Sequence, residues 1–517
     1  MGQEGNKYKD NIKQDNEIDW MITVVPFVLI VILCILFFIY PESSKNVLTK
    51  IRTFLGDKLG VYYIIIGLGI FLASMYIAFS RFGNIVLGEP DDKPQYSFFS
   101  WGAMMFTCGL AADILFYSFS EWIMYAADAH IEELGGIQEW AGVYAMFHWS
   151  FIPWAFYLVL AVAFGFMIHV RKRRRQRYSE ACRPFLGKHT DGIAGRLIDL
   201  LAVFALLSGT ATTFSVATPL MAELICRLAG TQISRTFIDI IILVVTCIIY
   251  TYSLLHGFKG IKVLAKVCMY LFFGLLAYVL LLGGETRYII ETGVESFGNM
   301  VQNFFGLATY TDPLRTSSFP QNWTIYYWAY WMVWCVAAPF FIGNISKGRT
   351  VRQTIIGGYA FGVSSTIISF VVLGNYSMGM QVQNIKDFVA IYNADGDLYS
   401  LIINIIGTLP GASFVMIIVL VTMIAFYATS FDSIALTAAG YSYKKLEYGQ
   451  KPNRLIQLMW CVLLIMMPIA LLFAESSMNN LQTVSIITAF PIGIIILFIV
   501  VSFMKDARKH LKEKESI

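Results

Sequence analysis

Charged residues are scarce in this chain, and the common motifs of nucleotide hydrolysis, metalloprotease and serine-hydrolase chemistry are missing. Only 14% of its 517 residues are Asp, Glu, Lys or Arg, whereas 57% are hydrophobic. No Walker loop, HExxH or GxSxG sequence occurs, so neither ATP-driven transport nor hydrolysis is indicated. The composition excludes an ordinary soluble domain of this length and predicts an integral membrane protein.

Cysteine and histidine give no sign of a disulfide framework or a metal centre. The eight cysteines are scattered singly without a CxxC spacing, and the six histidines do not cluster. Most of the cysteines lie inside apolar segments. We therefore expect neither a zinc site nor a cofactor.

Long apolar segments are abundant, and twelve of them are long enough to cross a membrane as α-helices. They cover residues 22–40, 61–80, 99–125, 141–169, 197–222, 238–254, 261–283, 323–343, 355–378, 412–438, 455–474 and 481–503. The sequence thus predicts an all-α integral membrane protein with twelve transmembrane helices. The first segment follows a polar stretch and lacks a small-residue cleavage site, so we expect it to remain in the mature protein.

The 38 Lys and Arg residues are distributed unevenly between alternate loops. Most share a side with the two termini, and the densest group is Arg171–Arg177 after the fourth segment. Positively charged loops remain in the cytoplasm, so we expect both the tail at 1–20 and the short basic tail at 504–517 to be cytoplasmic in a plasma-membrane protein. The basic group predicts contact with membrane lipid rather than with nucleic acid.

Two similar short sequences suggest an internal repeat. Ala211–Ser215 reads ATTFS in the fifth segment and Ala428–Asp432 reads ATSFD in the tenth, and the third and eighth segments begin at nearly the same separation. This spacing predicts two five-helix repeats at 99–283 and 323–503, preceded by two extra helices at 21–80. An odd number of helices gives the repeats opposite orientations, as in the LeuT-like fold.

The segment between the two repeats, residues 284–322, is predicted to be periplasmic or extracellular. Within it, Tyr288–Leu307 has the pattern of an amphipathic helix. A helix of this kind lies on the membrane surface rather than crossing it.

A break is predicted in the third segment, where Cys108–Asp113 combines a glycine, small side chains and a carboxylate. Unwound backbone at that depth requires a neighbouring cavity, and a buried charge there is costly and usually functional. Asp113 is open to three functions: facing a cationic substrate, coordinating a metal ion or carrying a proton. The structural alternative is an ion pair with Lys266 of the seventh segment. Glu121 is expected near the outer interface.

The richest feature is Asn322–Trp334, with four tryptophans and three tyrosines in thirteen residues. Trp323, Tyr326 and Tyr327 fit a position at the membrane interface. Trp331 and Trp334, however, lie roughly 12–16 Å deeper than Trp323 at about 1.5 Å per residue. Rings at that depth are typical of a cavity wall, and aromatic faces attract a quaternary ammonium that accepts no hydrogen bond. Ordinary helix packing is the alternative explanation.

A candidate cation site lies in the tenth segment. Thr429 and Ser430 supply adjacent hydroxyls, and the Phe426 carbonyl adds a third oxygen ligand. We include Leu110, in the predicted break of the third segment, as a further backbone contributor. The alternative is that both hydroxyls bond to a carbonyl one turn back in their own helix.

Three sequence stretches resemble the betaine–choline–carnitine transporter family, and the resemblance extends over essentially the whole chain. They are Asn322–Trp331 (NWTIYYWAYW), Ile345–Arg352 (ISKGRTVR), and the fourth-segment set His148-Trp149, Pro153-Trp154 and Tyr157. The resemblance implies the inverted-repeat fold and a homotrimer.

The resemblance also implies which residues bind substrate and ion. Tyr330, Trp331 and Trp334 would form a central aromatic box. Trp149, Trp154 and Tyr157 would either face this box or line the route to it. The sodium-coupled members look similar at Phe426-x-x-Thr429-Ser430. The sodium-independent carnitine/γ-butyrobetaine exchangers lack that hydroxyl pair and carry an arginine where this chain has Cys268.

Three positions depart from the family pattern. Tyr330 stands where many members have tryptophan, and Met124 lies near a tyrosine of the exchangers. Asp113 occupies a position that is glycine in typical betaine carriers and acidic in some choline-type members. Choline carries an uncompensated positive charge that a buried aspartate would stabilise, whereas betaine and carnitine bring their own carboxylate.

The sequence therefore predicts a secondary active transporter of a quaternary ammonium compound such as glycine betaine, choline or carnitine, coupled to sodium and working by alternating access. The alternatives are sodium-independent exchange, proton coupling through Asp113 and an organic-cation channel. A membrane enzyme is not predicted, because His148 is the sole candidate base in the aromatic region and no nucleophile or metal accompanies it. We expect His148 to fix helix packing by a hydrogen bond.

Overall fold

The computed structural model describes residues 18–516 except 174, 232, 257, 445, 447–451 and 474–477, and it gives no side chains for 253–265, 429, 432, 433 and 470–482. Within these residues the chain is helical and contains no β-strand. Two isolated β-bridges pair Ile18 with Tyr443 and Val86 with Thr350.

The helices, numbered in chain order, are α1 Trp20–Ile39, α2 Pro41–Arg52, α3 Val61–Phe79, α4 Phe98–Thr107, α5 Ala112–Ala126, α6 Ala129–Leu134, α7 Gly142–His148, α8 Phe151–Gly165, α9 Tyr178–Ala181, α10 Arg183–Leu186, α11 Ile193–Ala229, α12 Arg235–His256, α13 Phe258–Leu282, α14 Thr286–Gln302, α15 Phe304–Thr309, α16 Ile325–Trp334, α17 Ala338–Ile345, α18 Val351–Gly358, α19 Ser364–Ser369, α20 Asn375–Val382, α21 Phe388–Asp395, α22 Leu398–Ile406, α23 Ala412–Tyr441, α24 Arg454–Phe473 and α25 Met478–Glu515. Short π-helical turns extend α2, α7, α8, α16, α18 and α19.

Seven helical stretches in the described part of the chain are long and apolar enough to cross a membrane. The number rises to ten if each of three bent helix pairs is one span. These pairs are α4 with α5, bent by 66°, α13 with α14, bent by 112°, and α16 with α17, bent by 58°. The architecture is that of an integral membrane protein, as predicted, while the count of twelve spans stays a prediction.

The first break, residues 108–111 between α4 and α5, depends on Gly109. A Cβ atom added there would lie 2.3 Å from the Ser365 hydroxyl oxygen and 2.9 Å from the Trp154 ring. Both distances are too short for a real contact, so glycine allows these side chains to approach the backbone. The break predicted at Cys108–Asp113 is therefore present, and Asp113 lies in the first turn of α5.

The second break, residues 335–337 between α16 and α17, contains no glycine and follows from a proline. Pro339 has no N–H and cannot bond to the carbonyl four residues earlier, which belongs to Cys335. The Tyr178 hydroxyl donates to that carbonyl instead, at 2.5 Å. A residue outside the bent helix pair thus supplies the hydrogen bond that the backbone carbonyl at the bend lacks.

Helices α8 and α17 pack backbone to backbone through two glycines. A Cβ atom on Gly343 would lie 2.5 Å from the Ala161 carbonyl oxygen and 2.8 Å from the Gly165 nitrogen. Small residues at such a crossing let membrane helices approach closely. Because the neighbouring atoms are backbone, no side chain can rotate to make room.

We expect Gly343→Ala to destabilise the protein, because overpacking of this kind costs about 1–3 kcal/mol. Thermal unfolding in detergent, followed by loss of the monodisperse gel-filtration peak, measures the effect. Gly274→Ala on α13 is the matched control, since an added Cβ meets nothing within 4 Å there. Equal melting temperatures for the two variants would contradict the close packing.

The segment Ile345–Arg352 is tied to the loop before α4. The Arg349 guanidinium lies 4.2 Å from the centre of the Trp101 ring and donates to the Tyr96 carbonyl at 3.0 Å. The Trp101 indole donates to Ser346 at 3.1 Å. This clamp joins the start of one bent helix pair to the end of the other.

Candidate functional site

Three aromatic side chains surround Trp331 of α16. We call these three residues and Trp331 itself the aromatic cluster: Trp149, Trp154, Tyr157 and Trp331. The Trp331 ring centre lies 5.4 Å from Trp149, 6.3 Å from Trp154 and 5.2 Å from Tyr157. Each of the four side chains is at most 4% exposed. The structure thus brings together residues that are far apart in the sequence.

The break between α7 and α8 positions the cluster. Helix α7 ends at His148 and α8 begins at Phe151, so the His148 carbonyl is available to accept from the Trp331 indole, at 3.2 Å. The next carbonyl, that of Trp149, accepts from the Thr366 hydroxyl at 2.6 Å. Backbone freed at a helix end therefore holds one cluster ring directly.

Tyr330 and Asp113 are joined through Thr213, which belongs to the ATTFS sequence. The Thr213 hydroxyl lies 3.1 Å from an Asp113 carboxylate oxygen and 3.0 Å from the Tyr330 hydroxyl. Because threonine has one proton to donate, Thr213 donates to the carboxylate and Tyr330 donates to Thr213. Asp113 is 2% exposed, and its side chain lies at the α4–α5 break beside the aromatic residues.

The suggested ion pair between Asp113 and Lys266 is not formed. Lys266 is exposed on α13, and among the described residues Asp113 has no ion pair within 4 Å. That structural alternative is therefore wrong. The carboxylate is held by a neutral hydroxyl, which leaves its charge uncompensated by a neighbouring cation.

Trp334 lies apart from the aromatic cluster. It is half-buried at the end of α16, and its ring faces Gly209 of α11, where a Cβ atom would lie 3.5 Å from the indole nitrogen. That nitrogen is buried and has no hydrogen-bond partner. Among the described ring pairs, none joins Trp334 to the cluster. A membership of Trp334 in a substrate box stays a prediction.

Three of the proposed cation ligands, Phe426, Thr429 and Ser430, lie on α23, and the fourth, Leu110, lies in the α4–α5 break. The side chain of Thr429 lies outside the described residues, Ser430 is half-buried, and Phe426 and Leu110 are buried. Helix α23 packs against α5 and α11, the helices that carry Asp113 and Thr213. Cys268, which the sequence resemblance aligns with the arginine of the exchangers, is buried on α13, which also packs on α23.

Sequence reasoning missed three tyrosines that extend the cluster. Tyr117 packs on Trp149 with ring centres 5.4 Å apart and on Tyr327 at 5.8 Å, and its hydroxyl lies 2.7 Å from that of Tyr326. Tyr117 stands one turn beyond Asp113 on α5, so the i, i+4 spacing carried a usable signal. Tyr326 and Tyr327 had been attributed to the membrane interface, but both are completely buried.

Glu121 has surroundings that the sequence did not indicate. Its expected position near the outer interface stays a prediction, and the structure shows that it is fully buried among aromatic residues. The Trp149 indole donates to one carboxylate oxygen at 2.7 Å and the Tyr125 hydroxyl to the other at 2.5 Å. The partner from the α7–α8 break is distant in sequence, and for that reason the burial could not be foreseen.

Comparison with known proteins agrees with this architecture. The sequence model of the family described as BCCT, betaine/carnitine/choline family transporter, matches residues 21–512. A protein named carnitine transporter from Acinetobacter baumannii is 28% identical over 436 residues, which cover 83% of this chain and 78% of that protein. The uncharacterized transporter YeaV of Escherichia coli K12 is 27% identical over 434 residues, covering 83% and 89%. The chain belongs to the betaine/carnitine/choline transporter family, and it is a multi-pass membrane transporter rather than an enzyme.

Proposed function

We propose that this transporter carries a trimethylammonium compound such as choline, glycine betaine or carnitine into the cell, driven by a sodium gradient. The observation that carries the proposal is the aromatic cluster, in which the ring centre of Trp331 lies 5.2–6.3 Å from those of three other buried rings. A methylated ammonium within about 6 Å of a ring centre is attracted by the ring quadrupole.

The substrate enters by separating rings that touch one another. Trp331 packs edge-on against both Trp149 and Tyr157, with interplanar angles of 75° and 67°. A cation placed between these rings gains contact with more than one face. Each contact is worth about 1–2 kcal/mol when water is excluded. Because no hydrogen bond is required, the site suits any compound with a trimethylated nitrogen.

Asp113 gives the substrate preference. Its buried carboxylate adds a negative charge close to Tyr330, through Thr213. That charge stabilises choline, whose cation is uncompensated, more than betaine or carnitine, whose own carboxylate it repels. The Acinetobacter relative is named a carnitine transporter, and this keeps carnitine among the candidate substrates.

Transport proceeds by alternating access in a fold of twelve spans, built from two inverted five-helix repeats at 99–283 and 323–503. The two breaks support this arrangement, because each interrupts the first span of its proposed repeat and the bends of 66° and 58° are similar. Broken helices near the midplane are typical of substrate and ion sites in such transporters. The assembly is a homotrimer with both termini in the cytoplasm.

Sodium binds between α23 and the α4–α5 break, with Thr429, Ser430 and the carbonyls of Phe426 and Leu110 as ligands. Oxygen donors of this kind suit a hard monovalent cation. The second candidate function is sodium-independent exchange of carnitine-like compounds. The absence of an arginine at Cys268 favours sodium coupling, since no fixed positive charge replaces the ion there.

Uptake into proteoliposomes tests the proposal. Radiolabelled choline, glycine betaine and carnitine are supplied to otherwise empty vesicles with and without an inward sodium gradient. We expect accumulation above the external concentration only with sodium. Uptake that ignores sodium and requires preloading with a related amine would establish exchange instead, and equilibration without accumulation would indicate a channel.

We expect Asp113→Asn to change the order of substrates. Loss of the charge should lower the apparent affinity for choline roughly tenfold relative to that for glycine betaine, an effect of about 1.4 kcal/mol. Competition between the two substrates in the same vesicles measures the ratio. Thr213→Val, which removes the hydroxyl partner but keeps the carboxylate, should preserve the order. An unchanged ratio in Asp113→Asn would remove Asp113 from substrate selection.

A further inference from the structure

Glu121 is a fully buried carboxylate that the proposed transport mechanism does not use. Both of its oxygens are occupied by neutral donors, the Trp149 indole at 2.7 Å and the Tyr125 hydroxyl at 2.5 Å. The nearest cationic candidate is His148, whose Nδ1 lies 3.9 Å from the carboxylate. A charge in such a place is expensive unless several hydrogen bonds hold it.

A chain of hydrogen bonds orients the carboxylate. The Tyr125 hydroxyl also lies 2.7 Å from His148 Nδ1, and His148 Nε2 lies 3.0 Å from the Thr324 hydroxyl. Because Tyr125 gives its single proton to Glu121, Nδ1 must carry the hydrogen that Tyr125 accepts. A neutral His148 then accepts from Thr324 at Nε2. In this series of hydrogen bonds Thr324 donates to His148, His148 donates to Tyr125 and Tyr125 donates to Glu121.

Trp149 is the one member of the aromatic cluster that lies outside an α-helix. It lies at the junction of α7 and α8, where φ is −117° and the backbone is no longer helical. Its ring contacts Trp331, Tyr117 and Phe370, at 5.4, 5.4 and 5.2 Å. These apolar contacts have no preferred direction for the indole N–H, whereas the bond to Glu121 is directional and holds that N–H on one carboxylate oxygen.

We propose that Glu121 is the positioning residue of the ammonium site, and that it acts through Trp149. Its carboxylate locks the indole with one face towards Trp331. The hydrogen bond also places negative charge against the positive edge of the indole, which makes the ring face more attractive to a cation. The inference rests on the proposed function, because it concerns the same site.

A double-mutant cycle tests the proposal. Glu121→Ala, Trp149→Phe and the double variant are compared with the wild-type protein, using isothermal titration with choline and glycine betaine in detergent. Phenylalanine keeps a ring but has no N–H, so it removes the partner of Glu121. We expect Glu121→Ala to weaken binding about tenfold in the wild-type background and less than twofold in the Trp149→Phe background.

Transport kinetics provide a second measurement. Glu121→Ala should raise KM while leaving the maximal rate within a factor of two, and Glu121→Gln, which keeps the volume and one acceptor for the indole, should recover part of the affinity. If Glu121→Ala does not fold, Glu121→Gln alone carries the cycle, with an expected loss of about threefold that disappears in Trp149→Phe. Equal losses in both backgrounds would overturn the proposal.

Ser377→Ala is the matched control. The indole of Trp122, which lies on the same helix as Glu121, donates to the Ser377 hydroxyl at 2.9 Å. The variant therefore removes a buried indole acceptor outside the aromatic cluster. We expect a lower melting temperature and unchanged affinity. If the wild-type protein binds neither choline nor glycine betaine, the proposed function fails. If it binds them and Glu121 has no effect through Trp149, this inference alone fails.

Discussion

We expect Trp331→Leu to bind choline, glycine betaine and carnitine roughly 5- to 30-fold more weakly than the wild-type protein, because a lost cation–π contact of about 1–2 kcal/mol corresponds to that range. Trp331 touches all three other members of the aromatic cluster, so its loss also removes the spacing between them. The affinity of Trp331→Phe should fall between those of the wild-type protein and Trp331→Leu, since a smaller ring retains part of the attraction. Isothermal titration gives the affinities directly.

Trp328→Leu separates this effect from helix packing. Trp328 is fully buried one turn earlier on the same helix, and it packs against Phe147 and His148, with ring centres 5.4 and 5.7 Å apart, and against Gly67 of α3. Among the described ring pairs, none joins Trp328 to the aromatic cluster. This variant should lose thermal stability, as large-to-small core substitutions do, while its affinity stays within twofold of wild type. If both leucine variants lose affinity equally, Trp331 acts through the packing of α16 and not through the cation.

The aromatic residues show what the sequence could and could not provide. The density of rings in Asn322–Trp334 predicts that Trp331 lines a cavity. The structure shows that Trp331 is buried among aromatic side chains, and its part in a substrate site stays a prediction. The same argument placed Tyr326 at the interface, although it is completely buried. Burial depends on neighbouring helices, and the partner Tyr117 is more than two hundred residues away in the chain.

The two helix breaks make the same distinction. The first break could be predicted, because the glycine and small side chains that favour it lie within Cys108–Asp113 itself. The second break had only Pro339 as a signal, and the unwound Cys335 carbonyl is stabilised by Tyr178 from another part of the chain. A proline in the sequence shows that one backbone hydrogen bond is lost, but it does not show which residue will donate to the freed carbonyl.

The buried carboxylates were the least predictable elements. Asp113 is predicted to be functional because a charge within an apolar segment is costly, and that role stays a prediction. Its partner Thr213 lay in the ATTFS sequence, which had been read only as a mark of an internal repeat. Glu121 is held by Trp149, and no pattern within α5 could reveal that contact. Long-range polar contacts are set by the packing of helices, which a single sequence does not encode in any local period.

The sodium site leads to the second large effect. We expect the double variant Thr429→Ala/Ser430→Ala to need at least about ten times more sodium for half-maximal uptake, with the order of choline, glycine betaine and carnitine unchanged. A hydrogen-bonding oxygen facing a charged group is worth about 1.5–3 kcal/mol, and a factor of ten corresponds to 1.4 kcal/mol. Uptake as a function of sodium concentration in proteoliposomes measures the shift.

Thr422→Ala is the control for this variant. It also removes a hydroxyl from α23, but the Thr422 hydroxyl donates to the Ile418 carbonyl at 2.6 Å within its own helix. Its loss should leave the sodium requirement unchanged. If the double variant resembles Thr422→Ala, then Thr429 and Ser430 serve their own helix and the coupling ion binds elsewhere. A tenfold shift confined to the double variant would place the ion between α23 and the α4–α5 break, next to the helix that carries Asp113, and would link ion binding to the substrate site through that helix.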